Sequence, residues 1–109
     1  MFPARVQPNF EAVTEAWRGA GRAAQPRLLA GVYFALGDEA QAPAREALLA
    51  FYAPGGERLA EAMATTVCTT PEAIHEAEAT FEAMGVDELF FWPAVGDRDQ
   101  LDRLAEAAL

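Results

Sequence analysis

Apolar residues recur along the chain with two different periods, and their alternation sets the expected order of elements. Phe10, Val13 and Trp17 lie on one face at helical spacing behind Asn9, a good N-cap, so a first helix is expected from Asn9 to about Ala20, ended by Gly21. After Pro26 the run from Arg27 to Leu36 is apolar at both alternating positions, as a parallel strand covered on both sides requires. Gly37 and Asp38 close it. Pro43 suits the first turn of a second helix, with Ala47, Leu48, Phe51 and Tyr52 as its inward stripe and a stop before Pro54, Gly55 and Gly56.

A narrower face of Leu59, Ala60 and Met63 predicts a third helix over about 57–64, and Val67, Cys68 and Thr69 form a short β-prone stretch. Thr70, Pro71 and Glu72 then combine a hydroxyl cap, a first-turn proline and an early carboxylate, the clearest helix start in the chain. Ile74, Ala77, Phe81 and Met84 mark its buried face, and Gly85 can take the left-handed C-terminal position. A second apolar strand follows and ends at Pro93. The last helix is expected from about Asp97, with Gln100 in capping-box spacing and Leu101, Leu104, Ala105 and Ala108 inward. The fold class is therefore α/β in a single domain, 1–109, with two parallel strands (about 27–36 and 88–92) and four or five helices. Two parallel strands cannot close a barrel or cover their own edges, so part of a larger sheet is missing.

Composition narrows the partners. Seventeen acidic residues against eight basic ones give a formal charge of -9, which repels phosphate backbones and anionic lipid, so neither nucleic acid nor a membrane is an expected partner. The basic residues are all arginine, a coding bias more than a site. One cysteine builds neither a disulfide framework nor a zinc site, and Met1 to Gln7 lacks an apolar stretch after a basic cluster, so a reduced, cytoplasmic setting is expected.

The order and spacing of several stretches resemble the C-terminal part of the luciferase-like monooxygenase family, flavin- or deazaflavin-dependent oxidoreductases built on a (β/α)8 barrel. These stretches are Phe10 to Trp17 with Ala20, Gly21 and Arg22; Pro26 to Leu28 and Tyr33 to Asp38; Thr69 to Ala73; and Gly85 to Leu89, Pro93 and Asp99 to Ala105. The resemblance implies that the two strands are the seventh and eighth of a barrel, with the helical link between them an insertion. It also implies FMN or a deazaflavin as cofactor and a small-molecule substrate once the barrel is completed. The earlier strands, which build most of the pocket in similar proteins, are absent, so catalysis by the isolated chain is not expected.

Chemistry in the residues themselves is sparse. The chain has no serine and no Gly-x-Gly-x-x-Gly, and no catalytic or metal-binding set emerges. His75, beside Glu72, Glu76 and Glu78, reads as a solvated or carboxylate-paired histidine, and Glu72, Glu76, Glu78 and Glu82 as a solvated helix face. Cys68 reads as a buried filler, having no nearby base to lower its pKa. Tyr33, Phe34, Phe90, Phe91 and Trp92 are either core or the wall of a flat cofactor, and Trp92, just before Pro93 at the C-terminal end of its strand, is the one cofactor-binding candidate. Two functions follow: the C-terminal segment of a luciferase-like oxidoreductase, or a non-catalytic module that associates with itself or a companion chain through exposed sheet edges. A small self-contained α/β domain is a third.

Overall fold

The computed structural model describes residues 3–109. Among them run α1 (Pro3–Gly19), β1 (Leu29–Phe34), α2 (Asp38–Tyr52), a single 3-10 turn (Ala53–Gly55), α3 (Glu57–Thr65), α4 (Pro71–Ala83), β2 (Glu88–Pro93) and α5 (Asp99–Ala108). β1 and β2 pair in parallel, Leu29 opposite Glu88 through Phe34 opposite Pro93. The expected α/β class with two parallel strands and five helices is therefore present. The β-prone stretch at Cys68 touches the other side of β1 as a single parallel bridge: Cys68 N–H donates to Tyr33 O at 2.8 Å and Ala35 N–H to Cys68 O at 2.9 Å.

The strand starts are fixed by side chains. Asp87 accepts the Leu28 N–H through Oδ2 at 2.8 Å, its own N–H reaches Leu28 O at 2.8 Å, and Arg27 pairs with Glu88. The strand ends are held by Gln100, which is buried and clamps Leu36 from both sides: Oε1 accepts its N–H at 2.7 Å and Nε2 donates to its carbonyl at 2.9 Å. Two groups that leave the ladder thus find partners in one amide, which also docks α5 on the end of β1.

α1, α4 and α5 cover one face of the sheet. Ala30, Val32 and Phe34 point into a core with Val6, Ile74, Phe81 and Ala107, closed at its margin by Phe10, Leu89, Phe91 and Leu104. α4 matches its pattern throughout, with Thr70 Oγ1 accepting the Ala73 N–H at 3.1 Å and Gly85 at φ 84 ending it.

Several expectations are corrected. α1 begins at Pro3, so Asn9 is an interior residue and Pro8 lies within the helix. Burial of Val6 holds the first turns in place despite the hydrogen bond that Pro8 cannot donate. Val13 is 46% exposed, the inward line being Val6, Phe10 and Trp17. α2 starts at Asp38, which puts Pro43 in its interior, and it buries Ala40, Ala44 and Leu48, leaving Ala47 exposed and Phe51 71% exposed. α5 begins at Asp99, with Gln100 and Ala107 inward and Leu101 exposed, because the Gln100 amide is committed to Leu36 and not to Asp97.

The largest correction concerns β1. Its second face is not covered: Leu29 is exposed, and Gly31 and Tyr33 are half-buried. The molecule as a whole is extended, through this open side and through α1, of whose described side chains only Val6 is buried. Its surface of 7173 Å² exceeds the about 5,900 Å² of a folded monomer of this mass, and its 15.7 Å radius of gyration exceeds the about 13 Å of a compact chain of this length.

Candidate functional site

Alternation along the two strands places Leu29, Gly31 and Tyr33 beside Glu88, Phe90 and Trp92 on the open face. Tyr52, at the end of α2, and Met63, on α3, close one side of it, making a groove of 410 Å³ whose lining is mainly apolar. Phe90 and Trp92 stack along the floor, ring centroids 5.8 Å apart and 19° from parallel. They remain 38% and 53% exposed, an unusual position for two large rings side by side.

Gly31 makes this floor possible. The indole of Trp92 lies across its backbone, and a Cβ there would collide with Nε1 and Cδ1. Across the groove the Tyr33 and Tyr52 hydroxyls meet at 3.0 Å, with rings edge-to-face at 6.3 Å. Burial, then the Tyr33 hydroxyl as neighbour, pushes the Tyr52 pKa up to about 12. The groove thus offers flat apolar walls, a hydroxyl pair and one indole N–H, and no charged side chain among its lining residues.

The crevice beyond the C-terminal ends of the strands is larger, 610 Å³, between Glu39, Pro43, Val95, Asp97, Arg98 and Gln100. Ligands gather at such ends in open α/β sheets. Here three of its polar side chains already serve the fold: Glu39 is paired with Arg103 at 2.6 Å, Asp97 accepts the Asp99 N–H at 3.1 Å, and Gln100 holds Leu36, with Arg98 the remaining charged side chain of the lining. We therefore place the candidate site in the aromatic groove.

Trp92, the one residue singled out as a cofactor wall, is on that groove. Phe34 and Phe91, grouped with it as core or cofactor wall, are not; they face the helices and meet edge-on at 6.4 Å. His75 is exposed and lies 3.7 Å from Glu78 through Nδ1. Cys68 is buried, its thiol 3.7 Å from the Ala73 carbonyl, and burial raises its pKa, which disfavours the thiolate. Glu72, Glu76 and Glu82 are exposed and Glu78 half-exposed, as a solvated face requires. No cluster of three metal-ligating side chains exists among the described residues, and no described helix is long and apolar enough to cross a membrane.

Reading the sequence missed Tyr52, Met63 and Gly31 as parts of one site. Gly31 did carry a signal, since a lone glycine inside a strand pattern marks a close approach to the backbone. Tyr52 and Met63 carried none, because their place depends on how the α2 and α3 pair folds back. No family model, curated protein or solved structure matches the chain.

Proposed function

We propose that this chain is an assembly module, an α/β unit whose open sheet face and free sheet edge are covered and extended by a second polypeptide. The observation that carries this reading is the one-sided sheet. One face is packed on three helices, while the other exposes Leu29, Phe90 and Trp92 to water. Apolar burial is worth roughly 25 cal/mol per Å², so covering such a face is strongly favoured. Sedimentation and light scattering over a range of concentrations test it. Species larger than the 11.7 kDa chain are expected, and a single monomer at every concentration overturns the reading.

A second reading draws support from the same alternation. A face under helices and an opposite face lined by side chains is the arrangement of strands in a (β/α)8 barrel, whose inner side would be the aromatic groove. On this reading the chain is the C-terminal part of a luciferase-like flavin- or deazaflavin-dependent oxidoreductase, with Trp92 as part of the cofactor wall and a small-molecule substrate above it. The residues present fit only half of such a group: the rings suit a flat isoalloxazine, but no basic side chain lines the groove to hold its phosphate. We therefore derive no chemical step through a flavin and rank this reading second. Titration with FMN, followed by quenching of its fluorescence, separates the two. Micromolar binding that Trp92→Ala removes favours the barrel, and absence of binding in a chain that associates favours the module.

A further inference from the structure

The outer edge of β2 specifies how the sheet can be extended, an inference that rests on the assembly reading. Glu88 N–H donates to Leu28 O and Ala94 N–H to Phe34 O, so Glu88, Phe90, Trp92 and Ala94 turn their backbone groups toward β1. By alternation Leu89, Phe91 and Pro93 turn theirs outward. Among the described residues no strand pairs with that edge. Its usable groups are the N–H and C=O of Leu89 and Phe91, since Pro93 has a carbonyl and no N–H.

We propose that β2 pairs antiparallel with β2 of a second copy of this chain, across a two-fold axis at Phe90. In this register Leu89 lies opposite Phe91 of the other copy, and four N–H to O=C bonds satisfy every free group of these residues on both strands. Shifting the axis to Phe91 would set Pro93 against Leu89 and leave a Leu89 carbonyl without a donor on each strand. The sequence therefore favours the register centred on Phe90. It also sets Glu88 opposite Trp92, so no like charges face each other. Glu88 is already paired with Arg27.

The product is a four-stranded sheet in the order β1, β2, β2, β1, with the two aromatic grooves on one continuous face and Phe90 against Phe90 at its centre. A net charge of -9 on each copy opposes association at long range, so added salt should tighten the dimer.

Cross-linking tests the register. Residues opposite each other in a non-hydrogen-bonded antiparallel pair lie about 4.5 Å apart at Cα, within disulfide range. Phe90→Cys in a Cys68→Ala background should oxidise to a covalent dimer, whereas Phe51→Cys, exposed on α2 and off the β2 edge, should not. Phe90→Lys sets two like charges at the axis and should weaken dimerisation on the order of tenfold by sedimentation, with the circular dichroism of the monomer kept. A chain that associates while Phe90→Cys fails to cross-link and Phe90→Lys leaves its mass unchanged overturns this pairing but leaves the assembly reading standing. A chain that stays monomeric overturns both.

Discussion

On one side of the sheet Phe34 is fully enclosed and meets Phe91 edge-on at 6.4 Å; on the other, Trp92 keeps half its surface and stacks on Phe90 at 5.8 Å. Neighbouring residues of the same strands thus serve two different ends. The covered face stabilises this chain by itself, because α1, α4 and α5 take its apolar area out of water. The open face gains its full apolar stabilisation only when something else lies on it. Equal hydrophobicity in a strand therefore does not imply equal contribution to the stability of the monomer.

The sharpest way to break that comparison is to truncate one ring on each side. Phe34→Ala should cost about 3–5 kcal/mol, the toll of a large cavity in a closed core, and lower the urea midpoint sharply. Trp92→Ala should cost the monomer under about 1.5 kcal/mol, since half of the ring is already in water. Equal losses in urea titrations at a concentration where the chain is monomeric would mean that the open face is part of the folding core after all.

Next in size is the clamp at the strand ends. Gln100→Leu keeps the volume but leaves the Leu36 N–H and C=O without partners in a dry place, so a loss of about 2–4 kcal/mol is expected. Hydrogen exchange at Leu36 should speed up with it. If exchange there is unchanged, α5 is held by Ala107 and Leu104 and not by the amide.

Gly31→Ala probes the open face alone. The new methyl occupies the place of the Trp92 indole, so either the ring swings away or the strand shifts, at about 1–3 kcal/mol. Combining it with Trp92→Ala should recover most of that loss, and the coupling measures how far the indole is pinned to the strand. Strict additivity of the two changes would show that ring and glycine do not interact in solution.

These residues also show what could be read from sequence and what could not. α4 was legible from end to end, because Thr70, Pro71, Ile74, Phe81 and Gly85 each follow from local rules of capping and spacing. The parallel pairing of the strands was legible too, since helical links force it. Local rules failed where a distant contact outweighed them: Pro8 and Pro43 sit inside helices, and Gln100 serves Leu36 in place of Asp97. The candidate site was half legible. Trp92 stood out by its place before Pro93, but an apolar run does not say which of its faces the chain will cover. Leu29 to Phe34 looked doubly buried for that reason. The Tyr33–Tyr52 contact joins residues from a strand and the far end of a helix, and no spacing announces it.

That tyrosine pair gives the smallest and most specific effect on the open side. The chain has two tyrosines, and Tyr52 is held protonated up to about 12 against an ordinary 10.0, by burial first and by the Tyr33 hydroxyl second. A raised pKa in the folded state means that the unfolded chain releases its proton first. The associated stability is complete below pH 10 and is lost as the pH rises through the interval to 12. Tyrosinate absorbance from Tyr52 in the native protein should therefore appear only as the pH approaches 12. Tyr52→Phe should remove that late absorbance and flatten the fall of stability across that interval. Late absorbance that Tyr52→Phe leaves unchanged would mean that burial and the Tyr33 hydroxyl do not hold Tyr52 protonated, and that Tyr52 does not close the groove opposite Trp92.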